Sequence, residues 1–177
     1  MFLTKSPSDP AFSPILVRDP VVLRAAELAD HSQWFSLREQ SREHLIAWEE
    51  DWAPDQLTQS HFKRRLASQV KDARRGGGLS LLSFRRVDRV LVGGVTLTNI
   101  RYGASRSGII GYWVGAPHIR QGYGSASVNA LIDHAFDTIN LHRLVAACQP
   151  ENVASQKLLE RCGFRREGLA KDYLKIN

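Results

Sequence analysis

Residues Gln121-Gly122-Tyr123-Gly124-Ser125-Ala126 follow a strand-like run, Gly108 to Val114, and open a helix-like run, Gly122 to Ile139. An apolar strand-like run, Leu144 to Cys148, comes next. A chain with this passage contains a βαβ unit, which points to a mixed α/β architecture. The glycines suit either of two ends. A tight strand-to-helix turn needs their backbone freedom, and so does close approach by a phosphate. In the second case the first N–H groups of the helix face the anion, and the helix dipole adds partial positive charge. The segment is not a Walker loop, because no Gly-Lys-Ser/Thr follows, and it lacks the third glycine of a dinucleotide fingerprint.

The remaining segments alternate in the same manner. Val21-Val22-Leu23 reads as a first strand. Asp30 is placed to cap a helix to about Ser41 that carries Trp34, Phe35 and Leu37. Thr58 is placed to cap a second, with Phe62, Leu66 and Val70 at fourfold spacing and a stop at Gly76-Gly77-Gly78. Leu79 to Phe84 and Val90 to Ile100 form a hairpin about Val87-Asp88-Arg89. Gly111 is expected to mark a bulge in the strand 108–114. A last helix, Asn152 to Cys162, turns Leu158 and Leu159 inward and closes at Gly163, and Leu169 to Ile176 reads as a last strand.

The 177 residues suffice for one domain with a sizeable core. Residues 1–19 read as an irregular, proline-rich arm and 20–177 as the folded domain. No run approaches the roughly 18 apolar residues of a membrane helix. The arm has no continuous apolar segment of a secretory signal. A cytoplasmic protein without a membrane partner is expected. Cys148 and Cys162 have neither metal-ligand nor disulfide-framework spacing, so no metal is expected. The formal net charge of +6 favours anionic partners: a polyphosphate cofactor, an acidic substrate or an RNA assembly.

Two motifs together carry a family resemblance. Gln121-x-x-Gly124-x-Ala126 resembles the Gln/Arg-x-x-Gly-x-Gly/Ala signature of the GNAT superfamily of N-acetyltransferases. Asn152-x-x-Ser155 through Gly163-Phe164 is similar to that superfamily's next motif, at the usual distance. His44-Leu45-x-x-Trp48, Gly111-Tyr112-Trp113 and Glu167-Gly168-x-x-Lys171-Asp172-Tyr173 resemble the ribosomal-protein-alanine acetyltransferases of the RimJ/RimL type. The resemblance implies a mostly antiparallel twisted sheet flanked by helices. That sheet is splayed between its fourth and fifth strands, 108–114 and 144–148. It also implies acetyl-CoA as donor and, as acceptor, the α-amine of a protein N-terminus such as that of a ribosomal protein. A small-molecule amine as acceptor and an inactive CoA-binding module are the competing readings.

The same resemblance assigns residues. The backbone of Gln121, Gly122, Tyr123, Gly124, Ser125 and Ala126 would cradle the CoA pyrophosphate, with Asn152 holding the cofactor or its loop. Trp113 and Val114 would offer backbone groups to the pantetheine amides, and an N–H near Val114 would polarise the thioester carbonyl. The departing thiolate needs a proton or a hydrogen-bond donor. Many members place a Tyr seven residues after the motif Asn, where this chain has Leu159, so the role passes to Ser155. Glu49, acting through water, is the candidate base, with Asp172 another. Trp48 and Glu50 are candidates for the acceptor groove.

One departure concerns the end of the chain. The family fold ends in two antiparallel strands after its last helix, and this chain stops at Asn177, where the turn between them would begin. The final strand is therefore expected to be missing. A domain truncated at its C-terminus, or one whose exposed sheet edge is completed by a second copy, would follow.

Overall fold

The computed structural model describes residues 12–173. Its centre is one six-stranded sheet in sequential order, with β1 Leu16–Arg18, β2 Val21–Arg24, β3 Leu79–Arg85, β4 Leu91–Arg101, β5 Ser107–Val114 and β6 Arg143–Val145. All neighbours are antiparallel except β5 and β6, which are parallel because a helix connects them. The helices are α1 His31–Gln40, α2 Arg42–Ile46, α3 Gln59–Arg74, α4 Tyr123–Asp133 and α5 Val153–Arg161.

The sheet is buried on both faces, as its alternating strands allow. Val21 and Leu23 of β2, Leu79 and Leu81 of β3 and Leu97 of β4 turn to one face, where Val128, Leu131 and Ala135 cover them. Val22, Leu82, Phe84 and Leu91 turn to the other, against Trp34 and Leu37 of α1 and Phe62 of α3. Leu23, Leu97 and Leu131 are fully enclosed. Each such side chain contributes about 1.5–3 kcal/mol by leaving water.

The hairpin β3–β4 and the helices α1, α3 and α5 lie where expected, with α3 capped by Thr58, whose hydroxyl accepts from His61 N–H at 3.2 Å, while α2 lies in a stretch where no helix was expected. Several details differ. Asp30 stands at the start of α1, but its side chain makes no capping bond to that helix: it is 5 % exposed, holds the Arg24 guanidinium in two 2.7 Å bonds and accepts from Glu27 N–H at 2.7 Å. Phe35 and Val70 are exposed, since neither lies on the stripe that faces the sheet. The irregularity expected at Gly111 falls instead at Thr98–Arg101 of β4, while Gly111 pairs regularly with Thr96. The helix expected to Ile139 ends its α-helical part at Asp133 and finishes in a π-helical turn, His134–Thr138. Residues 16–18, placed by sequence within an irregular arm, form the strand β1 and pair with β2.

A sheet short of its final strand is not borne out. Six strands form one unbroken sheet, and β6 pairs directly with β5. The reason for expecting a dimer through an incomplete edge goes with it. Leu169–Tyr173 carries no strand: Leu169 and Tyr173 are exposed, and Asp172 adopts φ 52°, which breaks an extended run. The rest of that expected strand, 174–177, lies outside the described residues.

Candidate active site

The sheet opens beside β5. β6 pairs only with its first three residues, Ser107, Gly108 and Ile109. Among the described residues, no strand flanks Ile110–Val114 on that side. Which backbone groups face the opening follows from the pairing with β4. Gly115 N–H donates to Val92 O at 2.9 Å, and the O of Gly111 accepts from Thr96 Oγ1 at 3.4 Å. In an antiparallel pair, alternate residues point to alternate sides, so odd-numbered residues here turn towards β4. Ile110, Tyr112 and Val114 turn their N–H and C=O groups to the opening.

This separates two residues that the sequence reading treated alike. Val114 presents its backbone to the opening. Trp113 does not, and its backbone is spent on β4. Its indole lies on the opposite face of the sheet, packed with Trp34 and Phe62 around a small cavity that Arg65, Ser80 and Thr96 also line.

α4 meets the opening with its N-terminus. Gly122 is the cap residue, with φ 82° in the left-handed region where only glycine is unstrained. The first turn closes when Ala126 N–H donates to Gly122 O at 3.0 Å. The N–H groups of Tyr123, Gly124 and Ser125 precede that bond and have no partner within the helix. Ala126 therefore leaves the predicted cradle, because its amide is used and its side chain is buried. The Tyr123 ring is also buried, edge-on to His118 at 6.1 Å. Gln121 is tied back by its Nε2 donating to Pro117 O at 2.9 Å, and Ser125 Oγ donates to Gly122 O at 3.0 Å.

The two glycines serve different ends. A Cβ at Gly124 would lie 2.8 Å from Leu158 Cδ1 and 3.1 Å from Val114 Cγ2, so its absence lets α4 pack against α5 and β5. A Cβ at Gly122 would meet nothing within 4 Å. The space before the open amides is free, which fits an approaching pyrophosphate.

α5 supplies the polar side chains. Asn152 caps it, with Oδ1 accepting from Ser155 N–H at 2.9 Å. Ser155 Oγ lies 2.7 Å from the hydroxyl of Tyr112, which also reaches Ser155 O at 3.3 Å. Burial pushes the Tyr112 phenol above its ordinary value, more than the Ser155 hydrogen bond lowers it, so the proton stays on. Leu159 is buried among apolar side chains and has no proton to give. Cys162, half-buried, has its thiol pushed up by desolvation, while Cys148 is exposed.

The predicted acceptor residues Trp48, Glu49 and Glu50 lie in the segment after α2. Glu49 is ion-paired. Its two carboxylate oxygens accept from Arg38 at 2.8 and 2.6 Å, and Oε2 also accepts from Trp52 Nε1 at 2.9 Å. Arg38 is 5 % exposed and lies with its guanidinium 4.3 Å from the Trp52 ring centre and 5.1 Å from that of Trp113. Trp48 is half-buried, while Glu50 and Asp172 are exposed. Arg38 was not singled out from the sequence, and Tyr112 only as part of the motif Gly111-Tyr112-Trp113, without a role of its own. Both lay within reach of the sequence periodicity, Arg38 four residues from Trp34 on one helix face and Tyr112 two from Ile110 on one sheet face. Ser41 has no such signal. It is fully buried, and its hydroxyl accepts from Ala116 N–H at 2.9 Å, joining the α1–α2 junction to the end of β5.

Comparison with known proteins agrees with this geometry. The family model described as "Acetyltransferase (GNAT) domain" matches residues 21–165. A probable N-acetyltransferase of Bacillus subtilis, YjcK, is 28 % identical over 89 % of this chain and 87 % of its own length. The [ribosomal protein uS5]-alanine N-acetyltransferase of Escherichia coli is 26 % identical over 92 % of this chain and 84 % of its own. The solved structure of Mycobacterium smegmatis RimJ in complex with CoA-disulfide has a TM-score of 0.88 at 31 % identity, covering 94 % of this chain and 83 % of that one. That extent of match is a second finding against a missing final strand. With its splayed β5–β6 pair and the α4 N-terminus beside the opening, this chain belongs to the GNAT family and is an N-acetyltransferase related to the ribosomal-protein acetyltransferases.

Proposed function

We propose that the chain transfers the acetyl group of acetyl-CoA to the α-amine of a protein N-terminus, a ribosomal protein being the favoured acceptor. The observation that carries this reading is the convergence at one opening. The Val114 backbone, the unpaired amides of residues 123–125 and the Ser155 hydroxyl all lie along the side of the sheet where β6 stops. Solved relatives with the same fold are complexes with CoA or acetyl-CoA, and two of the matching proteins are named for acetylating ribosomal-protein alanine or serine.

In this reading acetyl-CoA enters as substrate. Its pyrophosphate lies on the N-terminus of α4, with Gly122 leaving room and Asn152 fixing the neighbouring turn. Its pantetheine arm runs along the open edge of β5 and pairs with the backbone of Tyr112 and Val114 as an added strand does. The Val114 N–H donates to the thioester carbonyl as negative charge develops on it. The neutral acceptor amine attacks that carbon directly. An α-amino group ionises near pH 8, so removal of its proton needs only modest help. The departing sulfur takes a proton from Ser155.

Glu49 receives a different part from the one sequence suggested. Arg38 and Trp52 engage both of its oxygens and take three of the carboxylate's four lone-pair positions, and it shapes the acceptor wall by holding Arg38 against the indoles of Trp52 and Trp113. Trp48 and Glu50 flank that wall.

The experiment is an acetylation screen with labelled acetyl-CoA, using peptides that begin with Ala or Ser, the same peptides with blocked α-amines, and polyamines. Label on the free α-amines alone is expected. Label on polyamines and on no peptide would contradict the reading and assign the chain a small-molecule acceptor.

A further inference from the structure

Ser155 is the proposed proton donor, yet a serine in the first turn of a helix has a competing use for its hydroxyl. Such hydroxyls commonly turn back and bond to nearby backbone groups, which points the proton away from any ligand. This site holds Ser155 from three directions instead. Its N–H donates to Asn152 Oδ1 at 2.9 Å, its backbone O lies 3.3 Å from the Tyr112 hydroxyl, and its Oγ lies 2.7 Å from the same hydroxyl. Tyr112 stands on β5, half-buried against the apolar layer that includes Ile110 and Leu158. A buried phenol hydroxyl needs a partner. Its closest is Ser155 Oγ.

We propose that Tyr112 is a positioning residue of the acetyl transfer, which donates its hydroxyl proton as a hydrogen bond to Ser155 Oγ and thereby directs the serine's own proton at the departing CoA sulfur. This rests on the reading of Ser155 given above. The bookkeeping of the step is simple. The acceptor N–C bond forms and the C–S bond breaks, with the sulfur keeping the electron pair. The Ser155 O–H bond breaks as the S–H bond forms, and the serine oxygen regains through water a proton that left the acceptor nitrogen. Tyr112 keeps its proton throughout, and its hydrogen bond to Oγ strengthens while that oxygen carries charge.

Tyr112 also sets a distance. Val114, whose N–H faces the thioester carbonyl, lies two residues further along the same strand, about 7 Å away. One strand therefore registers both the donor to the carbonyl oxygen and, through Tyr112, the donor to the sulfur. α5 is joined to β5 by no strand pairing, and the Tyr112–Ser155 contact is the side-chain hydrogen bond that ties its first turn to that strand.

The test is a double-mutant cycle on the full chain, with Tyr112→Phe, Ser155→Ala and the pair, assayed with acetyl-CoA and whichever acceptor the wild type acetylates. Phe keeps the ring and its packing, and unfolding midpoints check that each variant is folded. Tyr112→Phe is expected to lower kcat about tenfold with KM for acetyl-CoA unchanged, and Ser155→Ala about 100-fold. The double variant is expected to lose no more than Ser155→Ala alone, because Tyr112 acts only through that serine. Losses that multiply in the double variant, or a Tyr112→Phe enzyme of full kcat, would overturn the role of Tyr112 and leave that of Ser155 standing. Full turnover by Ser155→Ala would overturn both.

Discussion

At the scale of single residues, the most informative side chain is one buried where a charge is costly. Arg38 leaves water almost completely, and it does so with a carboxylate in bidentate contact and an indole on either side. Its Nε finds no acceptor among the described residues, which limits what the pairing contributes. Removing one partner of such a pair strands the other, at a cost of about 3–5 kcal/mol. Arg38→Ala is expected to lower the free energy of unfolding by that amount in urea denaturation, and to loosen the acceptor wall through Glu49, Trp52 and Trp113. A loss below 1 kcal/mol would show that the cluster is not held together by this pair. Glu49 and Trp48 stood out in this region by sequence, but the Arg38 partner of Glu49 did not. Nothing in Trp-Glu-Glu-Asp-Trp tells which acid meets an arginine eleven positions earlier, because that contact depends on how α1 and the segment after α2 pack. The places of Ser155, Asn152 and Gly122 were legible for the opposite reason: the start of a helix is marked by local sequence.

At the scale of elements, the junction of β4 and β5 places the opening. Gly93 and Gly94 of β4 sit opposite Val114 and Trp113. A Cβ at Gly93 would lie 2.2 Å from the backbone O of Trp113, a contact that no rotamer change relieves. Gly93→Ala is expected to push β5 away from β4 and to cost about 1–3 kcal/mol, the range of an overpacked site, read from the urea midpoint. An unchanged midpoint would mean that the two strands are less tightly paired than described. The order of elements was legible, because turns, caps and periodicity are written locally, as at Thr58, Gly76 and Gly163. What local pattern does not carry is where a ladder ends. Sequence marked an apolar run to Cys148, but only the parallel pairing shows that β6 stops at Val145 and leaves Ile110–Val114, among the described residues, without a neighbour on the side away from β4. The same limit explains Trp113. Its membership of β5 was legible, whereas the side to which its backbone turns depends on the register with β4.

At the scale of the whole molecule, the sheet separates two jobs. The face covered by α4 and α5 carries Tyr112, Ser155 and the open amides, and the face covered by α1 and α3 carries Trp113, Arg38 and Glu49. The net charge of +6 favours anionic partners, a polyphosphate donor among them. Among the described residues no helix is long and apolar enough to cross a membrane. The central claim is that the opening beside β5 holds acetyl-CoA, and calorimetric titration of acetyl-CoA into the purified chain tests it most directly. Saturable binding of one acetyl-CoA per chain, weakened when Gly122→Val fills the space before the α4 amides, is the expected result. No measurable binding, or binding that Gly122→Val leaves untouched, would contradict it.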